Sequence, residues 1–166
     1  MEKNNVILIG MPTSGKSTVG VILAKMKGMD FLDTDLLIQK STGKRLSEII
    51  QEGGTDGFLQ VEESECLGIA TDNTVIATGG SVVYSDAAMT ALKKNAVTVY
   101  LQVSLRELQQ RLRETKQRGV VLRDGESIDE LYAEREGLYR QYADLTVPEE
   151  GLNLEETVNA VLERIP

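Results

Sequence analysis

The chain has 166 residues, a formal net charge of -8, one cysteine and no histidine. That length is one ordinary domain, long enough to bury roughly two thirds of the surface its unfolded chain exposes, so no disulfide or structural metal is required. The negative balance argues against a general nucleic-acid or membrane-surface binder, which needs a cationic face. Without histidine, acid–base chemistry falls to carboxylates, lysine, tyrosine or a metal-bound group.

Cys66 cannot form an internal bridge. Neither an apolar leader nor a run of about 18 apolar residues is present. A reducing, cytoplasmic setting is therefore expected, with small-molecule partners, no nucleic acid or membrane, and a monomeric state.

The first element is an apolar run suited to a buried strand, "NVILIG" at 5–10, followed at once by "GMPTSGKST" at 10–18 and the helical spacing of "KSTVGVILAKMK". Gly10, Gly15, Lys16 and Ser17 satisfy G-x-x-x-x-G-K-[ST] between a strand and a helix, the context that gives the pattern meaning. The glycines let successive amides turn toward one anion, and the positive end of the following helix adds its field. Gly10, Pro12, Thr13, Ser14, Gly15, Lys16, Ser17 and Thr18 are thus expected to hold the phosphates of a nucleotide, with Lys16 on the outer phosphates and the Ser17 hydroxyl on Mg²⁺.

A second strand, "FLD" at 31–33, ends in "LDTD", placing Asp33 and Asp35 two apart where the chain turns. Strand spacing sets the two carboxylates on one face, and the turn can split them, one toward a metal and one toward a substrate hydroxyl. Residues 30–65 carry nine acids against three bases. Further strands are expected at "TVIATGG" (74–80), "VTVYLQV" (97–103) and "LTV" (145–147). Helices are expected after the caps Ser85 and Ser104, and over about 127–143 and 153–165 after Ser127 and Asn153. A basic island at 106–118 holds Arg106, Arg111, Arg113, Lys116 and Arg118.

Strands apolar throughout and separated by helices indicate a parallel sheet covered on both faces, with chemistry in the loops at the strands' carboxyl ends. The expectation from these elements is one α/β domain over 1–166, a five-stranded parallel sheet flanked by helices in three layers. Tyr132, Tyr139 and Tyr142 are read as packing residues, and Cys66 as a buried apolar one, since no histidine exists to activate it.

The order of "GMPTSGKSTVG", "LDTD", "TGKRLSEII", Gly57-Phe58 with Val61-Glu62, "VIATGG", "RGVVL" and "EREGLY" followed by "AD" resembles the shikimate kinase family over nearly the whole chain. The resemblance implies an ATP-dependent kinase that phosphorylates a hydroxyl of shikimate, giving shikimate 3-phosphate in aromatic amino acid biosynthesis. It implies that Lys16 and the loop amides hold ATP, and that Ser17 with Asp33 organises Mg²⁺. Asp35 would orient the attacking hydroxyl, Gly79 and Gly80 would contact the substrate, Arg135 would pair with its carboxylate, and Arg118 would close over the transferred phosphate. It also implies the α/β, three-layer P-loop kinase fold, with a substrate-binding segment at about 34–62 and a mobile lid at about 112–126.

Three positions depart from the family pattern. Leu59 follows Phe58 where an arginine is usual, Ser81 stands third in a glycine triplet, and Gly119 rather than proline follows Arg118. Losing one cation from a two-arginine carboxylate clamp costs about 1.5 to 3 kcal/mol. Lys44 or Arg45 is a candidate replacement. A changed acceptor, such as a hydroxy amino acid, and a non-catalytic nucleotide-binding regulatory module are the competing readings. A GTPase-type switch lacks its guanine-reading motif.

Overall fold

The computed structural model describes residues 3–114 and 125–166. Strands β1 (Asn5–Ile9), β2 (Asp30–Asp33), β3 (Thr74–Ala77), β4 (Ala96–Gln102) and β5 (Leu145–Pro148) form one sheet in the order β2-β3-β1-β4-β5. Every pairing is parallel, as expected of strands apolar on both faces. β3 ends three residues before its apolar run does. At Thr78 both the amide and the hydroxyl turn to donate to Leu8 O, at 3.2 and 2.9 Å, and the two glycines that follow leave the sheet.

Helices are α1 (Lys16–Lys27), α2 (Thr34–Thr42), α3 (Leu46–Leu67), α4 (Asp86–Lys93), α5 (Leu105–Glu114), α6 (Ile128–Tyr142) and α7 (Leu154–Leu162), with one 3-10 turn, Val82–Tyr84, before α4. Among the described residues none is long and apolar enough to cross a membrane. The expected caps form: Ser85, Ser127 and Asn153 each accept from the amide three residues on, and the latter two complete reciprocal boxes. Ser104 accepts from Glu107 N at 3.2 Å, but the Glu107 carboxylate turns instead to Arg111.

Alternation along the strands feeds two cores. Ile7, Ile9, Ile76 and Tyr100 pack on one face beneath α3 to α6, while Val6, Leu8, Val75, Val99 and Leu101 pack on the other against α1 and α7. This is the expected three-layer arrangement. A satellite core of Ile38, Ile49 and Phe58 joins α2 to α3, with Leu59 packed against it. Tyr139 stacks on Tyr100 with ring centroids 5.1 Å apart, so its packing role is as read. Cys66 is buried, which pushes its thiol up to about 12 and leaves it inert.

Candidate active site

Parallel pairing aligns the carboxyl ends of β1, β2 and β3, with Asp33 level with Ala77, so the loops after these strands meet. The first is the glycine loop. Gly10 has φ +151°, and a Cβ there would stand 2.6 Å from Leu101 O, so the turn admits only glycine. Gly15, at φ +79°, precedes the first residue of α1. Thr13 is β-branched at φ +69°, a strained conformation held from outside: Arg111 Nη1, on α5, donates to Thr13 O at 2.9 Å.

Lys16 is buried and curls back over the loop. Its Nζ donates to Gly10 O at 2.9 Å, Met11 O at 2.8 Å and Ser14 Oγ at 3.3 Å. Burial lowers its ammonium to about 8, against the attraction of Asp35 and Glu149. Ser17 and Thr18 are exposed at the start of the helix.

The two aspartates separate as the sequence suggested. Asp33 caps α2: its Oδ1 accepts from Asp35 N at 2.9 Å and Leu36 N at 3.3 Å, while its Oδ2 accepts from Ser17 Oγ at 2.6 Å. A hydroxyl and a carboxylate oxygen side by side are hard donors of the kind Mg²⁺ takes, with phosphate oxygens and water completing its shell. Among the described residues no cluster of three or more Asp, Glu, Cys or His residues is placed to hold a metal alone.

Asp35 lies two residues further, over the glycines after β3. A Cβ on Gly79 would stand 2.9 Å from Asp35 Oδ1 and 2.5 Å from Glu62 Oε1, so two carboxyl groups border one space above Gly79. The Gly79 amide itself donates to Thr34 Oγ1 at 3.0 Å. Above Gly80 stands Arg135, whose Nη1 is 3.0 Å from the Cβ that Gly80 lacks; Pro12 of the phosphate loop is equally close. Arg135 is only 1% exposed, so it is no surface ion pair. It stacks on the Tyr84 ring at 5.3 Å. Burial works against its charge, but Tyr139 and Tyr84 outweigh that and hold it above its ordinary value. Tyr139, one turn on, donates to Gly80 O at 2.6 Å and fixes the floor.

Phosphate loop, metal-compatible oxygens, acidic edge and buried guanidinium therefore share one cleft. Arg118 and most of the expected lid lie outside the described residues. Lys44 pairs with Glu52 on an exposed face, and Arg45 is exposed. Four participants escaped sequence reasoning: Arg111, Glu62, Ser81 and Glu149. Glu149, just past β5, is buried and stands 3.8 Å from Arg111 Nη1; burial pushes its carboxyl up to about 7. Glu62 and Ser81, in the quoted motifs, and Arg111, in the basic island, carried a signal but no role; Glu149 carried none.

A parallel sheet of this order with a phosphate loop after β1 defines the P-loop α/β kinase fold. The family model for shikimate kinase matches residues 12–166. A shikimate kinase of Thermodesulfovibrio yellowstonii is 38% identical over 162 residues, covering 95% of this chain and 92% of that one. One of Haemophilus influenzae is 33% identical over 169 residues, covering 99% and 93%. The crystal structure of a shikimate kinase from Acinetobacter baumannii in complex with shikimate superposes with a TM-score of 0.87 at 28% identity, covering 96% of this chain and 91% of that one. The chain belongs to the shikimate kinase family.

Proposed function

We propose that this protein transfers the γ-phosphoryl group of ATP to a hydroxyl of shikimate, giving shikimate 3-phosphate, with Mg²⁺ held by Ser17 and Asp33. The observation that carries the reading is the buried Arg135 standing over Gly80 while Asp35 stands over Gly79. Together they offer a carboxylate anchor and a hydroxyl acceptor at opposite ends of one floor.

Phosphoryl transfer asks for position and charge compensation. Lys16, released from the loop carbonyls, reaches the outer phosphates as a point charge, and the backbone amides from Thr13 to Thr18 gather the rest. Asp35 takes the hydrogen of the attacking hydroxyl and aims its oxygen along the line of displacement. Arg135 fixes the acid end. Mg²⁺ would draw charge from the phosphates as the bond to the leaving group weakens. The segment at about 34–62 serves as the acceptor wall, and Arg118, in a lid at about 112–126, covers the transferred group. A monomeric cytoplasmic enzyme is the setting this implies.

The test is Mg²⁺-dependent ADP release with and without shikimate, on the parent chain and Lys16→Ala. Removing the cation that meets the transferring group is expected to lower kcat/KM by about a thousandfold. Full activity in that variant contradicts the loop assignment. ATP binding with no turnover on shikimate, alongside turnover on a hydroxy amino acid, moves the acceptor and leaves the phosphate machinery intact.

A further inference from the structure

Glu62 on α3 is buried, and its two oxygens differ. Oε2 accepts from Ser81 Oγ at 2.7 Å, while Oε1 has no hydrogen-bond partner. That unsatisfied oxygen borders the space above Gly79, across from Asp35 Oδ1. A buried polar oxygen left without a partner is unfavourable, and an oxygen of a bound molecule supplies one.

Neighbouring groups decide the form Glu62 takes. Asp35 from α2 opposes its ionisation, while Ser81 from the loop after β3, Arg135 from α6 and Lys16 from α1 favour it. Cys66 on its own helix and Tyr139 on α6 are both pushed upward and stay neutral near pH 7. Leu59, one turn earlier on the same helix, contributes no charge. Burial is the largest influence and pushes the Glu62 carboxyl up to about 7. Because Ser81 donates to Oε2, the hydrogen of the uncharged form sits on Oε1.

We propose that Ser81 and Glu62 act as one specificity unit: Ser81 pins Oε2, and uncharged Glu62 donates from Oε1 to an acceptor hydroxyl next to the one held by Asp35. This rests on the reading of the cleft as the acceptor pocket. The ligand class is a carboxylic acid with at least two neighbouring hydroxyls, its acid at Arg135, one hydroxyl at Asp35 and the other at Glu62. Ionised Glu62 has no hydrogen to give and sets a second negative charge beside Asp35. Acceptor binding therefore weakens as the pH rises through the Glu62 titration.

The experiment follows KM and kcat for shikimate on the full chain at saturating Mg-ATP from about pH 5.5 to 9. In the parent, KM is expected to be flat up to about pH 7 and to rise about tenfold by pH 8, with kcat little changed. Glu62→Gln keeps the shape and a neutral N–H donor. It should raise KM by about threefold at pH 6.5, the cost of a weaker donor, keep kcat, and lose the further rise in KM with pH. Ser81→Ala unpins Oε2, which raises KM at pH 6.5, and removes a bond that favours the ionised form, which moves the midpoint of the rise to higher pH. A Glu62→Gln variant that folds normally yet loses more than about tenfold at pH 6.5, or that keeps the parental pH dependence, overturns the proposal. A second readout needs no turnover: the ¹³C carboxyl resonance lost in Glu62→Gln should titrate near pH 7 and move upward in Ser81→Ala. Titration in the ordinary carboxylate range overturns the proposal even if shikimate is phosphorylated. Absent phosphorylation of shikimate with titration near 7 overturns the acceptor assignment and supports the Glu62 assignment.

Discussion

Leu59 shows how one residue ties specificity to packing. It joins the apolar contact between α2 and α3, where an arginine would have to bring its stem past Ile38, Ile49 and Phe58. The same position lies three residues before Glu62 on one helix, within reach of its carboxyl. Leu59→Arg should therefore do two things. It should destabilise the fold by about 1 to 2 kcal/mol through lost apolar burial, read by urea unfolding. It should also lower KM for shikimate, more at pH 8 than at pH 6.5, because the new cation compensates an ionised Glu62; a gain of about tenfold corresponds to one charge-assisted hydrogen bond. An unchanged KM at both pH values contradicts this account of the position.

At the scale of elements, the strands and the capped helices were legible because each is set by a local rule: apolar runs for β1 to β5, and cap residues at Ser85, Ser127 and Asn153. α3 was not legible as a helix. Its first half runs into Gly53 and Gly54, residues that disfavour a helix interior, and Gly54 is non-helical at φ 66°, ψ -172°. The helix resumes beyond it because Phe58, Glu62 and Cys66 recur on one face and are buried against the site and the sheet. That backbone conformation belongs almost to glycine alone. A Cβ on Gly54 would meet no atom within 4 Å, so any penalty is conformational rather than steric. Gly54→Ala is expected to lower stability by about 1 to 3 kcal/mol and to raise the KM for shikimate while sparing nucleotide affinity, because only α2 and α3 are disturbed. Nucleotide binding that weakens in step with shikimate binding argues against that independence.

Over the whole molecule, the phosphate side of the cleft was legible because the glycine loop states its chemistry within nine consecutive residues. The acceptor side was legible only through motifs, at Asp35, Gly79, Gly80 and Arg135, because Glu62, Ser81 and Tyr84 meet only when α2, α3, α6 and the loop after β3 converge; Arg111 and Glu149 converge likewise on the phosphate loop from α5 and from just past β5. That convergence buries charge, and the burial is readable as a pH dependence of folding. Glu62 and Glu149 are both raised from 4.5 to about 7. Each carboxyl holds its proton longer in the folded chain, so the stability it contributes is fully present below 4.5 and is lost as the pH rises toward 7. Lys16, lowered from 10.5 to about 8, works in a separate window: its burial penalty applies below 8 and is relieved as the pH climbs to 10.5. The nucleotide-free protein is thus expected to lose unfolding free energy between about pH 5 and 7, on the order of 3 kcal/mol per carboxyl at most. Urea titrations at half-unit pH steps measure that slope. Glu149→Gln, which cannot ionise, should remove about half of it and, because Glu149 attracts Lys16, should also move the onset of the Lys16 window to lower pH. A Glu149→Gln slope equal to the parental one places the titrating groups elsewhere.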